Sequence, residues 1–147
     1  MPTVSRTRSV PAAPEEVWRV VSDPQRLADW WPGVQRVEDA TEDTWTKVLR
    51  SARGKVVRAD YSRVEAEPPR RMLWRHEVDE SPFEAILSDS LIEIVLEPED
   101  QWHTRVRLRM EQKLRGSYRL GGWMMRRATR RQLDEALDGL ERAVGAT

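Results

Sequence analysis

The sequence predicts an α+β fold: a sheet of six or seven antiparallel strands lays one apolar face against a single long C-terminal helix. Three observations carry this. The chain opens in the order strand, helix, helix. From residue 34 to 114 it then breaks into short strand-like runs separated by turn residues. A stripe of apolar residues at helical spacing follows, over roughly 117–144.

The elements follow in order. Thr3 to Val10 alternates and is stopped by Pro11. Pro14 opens a short helix at its first position, with Glu15 and Glu16 suited to the positive helix end and Val17, Val20 and Val21 as its apolar stripe. Asp23-Pro24 reads as an N-cap and first helical proline for a second short helix running through Leu27 to Trp31, ended by Pro32-Gly33. Strands are then expected at roughly 34–41, 44–51, 54–66, 70–79, 84–97 and 102–114. They are divided at Glu42-Asp43, Arg53-Gly54, Pro68-Pro69, Ser81-Pro82 and Pro98-Glu99-Asp100. Such short separations join antiparallel neighbours rather than parallel crossovers. Val106, Leu108 and Met110 alternate with Arg105, Arg107, Arg109 and Glu111, the pattern of a sheet with one dry and one wet face. In the final helix Met125, Thr129, Gln132, Leu133, Ala136, Leu137, Leu140 and Val144 share one stripe. No repeat or linker divides the chain, so one domain over 1–147 is expected.

Composition narrows the function classes. The 147 residues suffice for a core without staples, and 0 Cys excludes thiolate nucleophiles, disulfide frameworks and thiolate metal centres. The 25 basic and 25 acidic residues balance, so no global field draws nucleic acid. No apolar run approaches the ~18 residues of a spanning segment, and Met1 to Val10 lacks a signal peptide's apolar stretch. The expectation is a cytoplasmic protein, monomer or homodimer, without nucleic acid or an integral membrane segment. The only lysines are Lys47, Lys55 and Lys113, the other 22 basic residues being arginine. This excess reads either as a GC-rich genome that writes Arg for Lys, which the matching acid content favours, or as phosphate or carboxylate recognition by the guanidinium fork. For the cluster Arg126, Arg127, Arg130 and Arg131, a solvated mixed-sign surface is the simplest account. A helix about 10 Å wide laid across a twisted sheet leaves space that is either plugged by side chains or kept as a pocket.

Several segments carry a family resemblance. Ser9-Val10-Pro11-Ala12-Ala13-Pro14-Glu15-Glu16-Val17-Trp18, then Ser22-Asp23-Pro24 and Trp30-Trp31-Pro32-Gly33, resemble the opening of the START-related, Bet v 1-like superfamily (SRPBCC). Glu67-Pro68-Pro69-Arg70-Arg71-Met72-Leu73-Trp74 is similar to its proline-bracketed hairpin, and Leu96-Glu97-Pro98 with Thr104-Arg105-Val106 to its penultimate turn. Bacterial members are commonly labelled polyketide cyclase/dehydrase. The resemblance implies a helix-grip fold: a curved seven-stranded sheet in the order 1-7-6-5-4-3-2 around the C-terminal helix, with two short helices between strands 1 and 2. It implies a cavity for a hydrophobic small molecule such as a lipid, polyketide or quinone. It supplies no common catalytic motif. No cofactor is expected, and no metal, since the two histidines have neither i,i+4 spacing nor an obvious carboxylate partner.

Strand parity nominates the cavity face. Leu96 and Ile94 place Ile92, Ser90, Ser88 and Ile86 together; Met72 and Trp74 add His76; Val10 places Arg8 and Arg6 inward; and Val64 suggests Ser62 and Asp60. Met110, Met125, Thr129 and Leu133 complete the expected ligand wall, with Trp30 and Trp31 at the cavity entrance. His76 is the best acid–base candidate, its ordinary pKa lying near neutrality, with Asp60 or an arginine as partner. His103, beside Trp102, is expected in solvent. Three functions compete: a carrier of a hydrophobic molecule, a polyketide cyclase/dehydratase, and a protein-interaction module with a filled cavity.

Overall fold

In the computed structural model the described residues are 3–50, 54–79, 81, 83, 86–116 and 122–145. The elements are β1 (Thr3–Val10), α1 (Pro14–Val21), a 3-10 turn (Pro24–Arg26), α2 (Leu27–Trp30), β2 (Val34–Glu38), β3 (Thr44–Arg50), β4 (Val56–Glu67), β5 (Arg71–His76), β6 (Leu87–Asp100), β7 (His103–Leu114) and α3 (Gly122–Gly145). Every neighbouring strand pair is antiparallel, in the order β1-β7-β6-β5-β4-β3-β2, as expected for a helix-grip fold.

The local signals act as read. Pro14 stands at the start of α1, and the Asp23 carboxylate accepts from the Gln25 amide to cap the 3-10 turn. Gly33 has φ +78°, which lets the chain leave Trp31-Pro32 and enter β2. One expected breaker sits inside a strand. Pro98 belongs to β6 and pairs with Thr104, because the β5 partner has already ended at Arg71 opposite Val95. The start expected for the last helix at 117–121 lies outside the described residues.

The core forms where α3 crosses the sheet. Leu133, Ala136, Leu137 and Leu140 of α3 bury against Val4, Val10, Ile94, Leu96, Val106 and Leu108, with Val17, Val20 and Val21 of α1 closing one end. The α3 helix comes so close to α2 that a Cβ on Gly139 would stand 2.8 Å from the Trp30 Cα, and nearer still to the Trp30 carbonyl oxygen. Beyond the far end of the core, Val78, Leu87 and Leu114 make a smaller cluster with Phe83, Ile86 and Met125. No described helix is long and apolar enough to cross a membrane.

A buried hydrogen bond ties the first loop to β7. Thr104 is fully buried and its hydroxyl donates to the Ala12 carbonyl at 2.7 Å. Thr104→Val keeps the shape but orphans that carbonyl, so urea unfolding of the variant should show a loss of about 1–3 kcal/mol. An unchanged midpoint would show the carbonyl to be satisfied in another way.

Candidate functional site

The residues that converge in the interior come from three adjacent strands and the α2 exit. On β3 and β4, Trp45 lies opposite Tyr61, and Tyr61 in turn lies opposite His76 of β5. The three rings make one row: Trp45 and Tyr61 are parallel at 6.3 Å, and Tyr61 and His76 are stacked at 4.7 Å. Phe83 meets the other side of His76 edge-on at 4.7 Å. Two residues along β3, Lys47 is opposite Ala59, whose small side chain leaves the lysine stem room. Trp74 packs at 5.3 Å against Trp45 and 5.9 Å against Trp31, closing the ring of aromatics.

Lys47 sits within this ring with no exposure to solvent. Its Nζ lies 4.1 Å from the Tyr61 ring centroid, 4.4 Å from that of Trp31 and 5.1 Å from that of Trp74. Among the described residues cation–π attraction is its only compensation: Nζ has no hydrogen-bond partner there and joins no ion pair. Burial pushes its pKa down from 10.5 to about 7. His76 is held down to about 4 by burial and the nearby Lys47 charge, with Asp60 acting weakly the other way, so the imidazole is neutral at pH 7. Burial pushes the Tyr61 phenol up. Further buried polar atoms here lack partners: His76 Nε2 and the indole nitrogens of Trp30, Trp45 and Trp74. Buried polar groups are ordinarily paired, so this concentration marks the site.

The other nominated residues distribute as follows. Trp74, His76, Ser90, Ile92, Met110, Thr129 and Leu133 are buried, and Thr129 donates to Gln112 Oε1 at 3.2 Å. Met125 is half-buried on the smaller cluster. Trp30 and Trp31, expected at an entrance, are buried: α2 turns both rings inward, onto Trp74 and, for Trp31, over Lys47. Ser88 is turned aside by a register shift between Leu87 and Asp89, and its hydroxyl donates to the Lys113 carbonyl. Arg6 and Arg8 do face α3, as parity requires, but are held by its carboxylates. Arg6 makes two bonds to Asp134, and Arg8 pairs with Asp138 and Glu141.

The β4 parity differs from expectation. Val64 is exposed, Asp60 accepts from Thr46 at 2.6 Å on the outer face, and Ser62 donates to Glu77 there. Val64 sits at the register shift between Arg63 and Glu65 and is itself exposed, so taking it as an inward anchor selects the wrong face, and Tyr61 is the inward residue. Asp60 is therefore not the acid facing His76 across the interior. His103 is exposed and bonds Asp100. Arg126, Arg127, Arg130 and Arg131 are all exposed. Lys47 and Tyr61 were not nominated from sequence. The available signal was the alternation Trp45, Lys47, Leu49 against Thr44, Thr46, which puts the lysine on the tryptophan's side.

A seven-stranded open sheet gripping a C-terminal helix is a START-like helix-grip fold. The chain belongs to the polyketide cyclase / dehydrase and lipid transport family, whose profile matches residues 1–145. Among solved structures it is similar to the Zhui aromatase/cyclase from Streptomyces sp. R1128, with TM-score 0.80 and 19% identity over 97% of this chain and 93% of that one. It also resembles a START superfamily protein from Mycobacterium smegmatis, with TM-score 0.80 and 14% identity over 98% and 97%. A Thermus thermophilus protein matches at 25% identity and TM-score 0.79, over 99% and 98%. No curated protein matches the sequence.

Proposed function

We propose that the protein binds an apolar small molecule of lipid, polyketide or quinone type between the sheet and α3, with the molecule's one polar end at Lys47 and His76. The observation that supports this most is the set of buried, unpartnered polar atoms held among aromatic rings. A folded chain gains nothing from leaving such groups bare, whereas a guest with an apolar body and a polar end pairs them. Burial of its apolar surface contributes about 25 cal/mol per Å². Trp74, Ile92, Met110 and Leu133 supply the apolar wall in this reading. The family to which the chain belongs, and the Zhui aromatase/cyclase it resembles, agree with a small-molecule role.

Titration with the neutral fluorophore N-phenyl-1-naphthylamine tests it, alongside native mass spectrometry of freshly purified protein. Saturable binding that is weakened by Trp74→Ala is the expected result. A protein that carries no small molecule and binds the fluorophore only non-saturably would defeat the reading.

A cyclase/dehydratase reading is favoured by the placing of an amine wholly inside the ring of aromatics, where burial pushes its pKa down to about 7, the range in which general acid–base groups work best. Turnover lost in Lys47→Met, with fluorophore binding retained, selects this second reading.

A further inference from the structure

We infer that the polar end of the bound molecule is an oxyanion, a carboxylate or an acidic enolate, seated on Lys47. This rests on the ligand-binding reading above and names the chemistry of its polar subsite. The interior holds a surplus of donors. Among the described residues the three Lys47 N–H donors have no acceptor, and Trp45 and Trp74, whose rings pack 5.3 Å apart beside it, each keep a buried indole N–H without a partner. The carboxylates on the neighbouring strands are engaged elsewhere. Asp60 bonds Thr46, Glu77 bonds Ser62, and Glu65 and Glu93 both bond Arg71.

The contrast with other cations is informative. Arg6, Arg8 and Arg71 all reach a carboxylate, while Lys47 reaches only rings. Aromatic faces attract the charge but accept none of its hydrogen bonds in the directed way an oxygen does. A ketone or alcohol oxygen offers fewer lone pairs and no charge, and an amine adds another donor. An oxyanion accepts from the ammonium and an indole at once and compensates the buried charge. It also restores the protonated lysine that burial alone disfavours.

Three probes separate this inference from the reading it rests on. N-phenyl-1-naphthylamine reports an apolar site of any polarity at its end; 2-naphthoate and its neutral isostere 2-naphthamide report the charge preference. The wild-type protein should bind 2-naphthoate about tenfold or more tighter than 2-naphthamide, the size of one charge-assisted hydrogen bond. In Lys47→Met that preference should vanish, the two naphthyl ligands then binding within about twofold of each other. Adding 2-naphthoate should also move the Lys47 side-chain NMR resonance of the wild type. Fluorophore binding without a preference for naphthoate, or a preference that survives Lys47→Met, overturns the oxyanion and leaves the ligand-binding reading standing. Failure of all three probes overturns both.

Discussion

Lys47→Met should make the protein more stable at pH 7, raising its unfolding free energy by about 2 kcal/mol. Burial holds the amine far below its ordinary pKa, from 10.5 to about 7. At about 1.4 kcal/mol per tenfold change in proton affinity, the folded state bears a penalty of several kcal/mol for the charge. The rings of Trp31, Tyr61 and Trp74 return about 2 kcal/mol. Methionine matches the lysine stem in length and removes the ammonium, so the remainder appears as a gain.

The pH dependence follows from the same shift. Between about pH 7 and 10.5 the unfolded lysine holds a proton that the folded one has lost, so wild-type stability rises with pH across that window. The groups around it leave the lower part of the window clear. His76 is already neutral, Asp60 is on the outer face, and Tyr61, pushed up by burial, contributes only as its unfolded counterpart titrates near 10. Chemical denaturation from pH 7 to 9.5 should therefore show the variant's advantage shrinking. A variant less stable than wild type at pH 7, or an advantage independent of pH, would mean that the amine is compensated in the folded state.

The second large effect is at the helix crossing. Gly139→Ala places a Cβ 2.8 Å from the Trp30 Cα and 2.9 Å from its carbonyl carbon, both backbone atoms that no rotamer change can clear. Alanine is favoured over glycine inside a helix by about 1 kcal/mol. Forcing α3 off α2 costs more, because Trp30 and Leu27 are buried in the same core and must move with it. The net loss should be about 3 kcal/mol, lowering the thermal midpoint by on the order of ten degrees. An alanine variant as stable as wild type would show that the two helices part without loss.

The sequence carried the architecture because the signals that define it are local: prolines at element starts, alternation in β7, and the helical stripe ending at Val144. The site was less legible, because its geometry depends on pairing. Trp74 and His76 follow from parity on a regular strand. Tyr61 does not, since Val64 sits at the irregularity between Arg63 and Glu65 and turns outward, which makes it a false anchor for the inward face. Trp30 and Trp31 read equally as an entrance or as packing until α2 is laid against α3. Lys47 was visible as one of three lysines, yet a lysine in a strand is ordinarily at the surface. Only the convergence of rings from three other segments shows why this one is not.

The arginine clamps at the edge of the sheet bear on synthesis of the chain. Arg6 and Asp134 are 128 positions apart, Arg8 and Asp138 are 130, and Val10 finds its strand partner only in Thr104. During synthesis β1 therefore emerges well before β7 and lacks its strand partner until β7 has been made. Contacts of such long sequence separation make the native topology lock late.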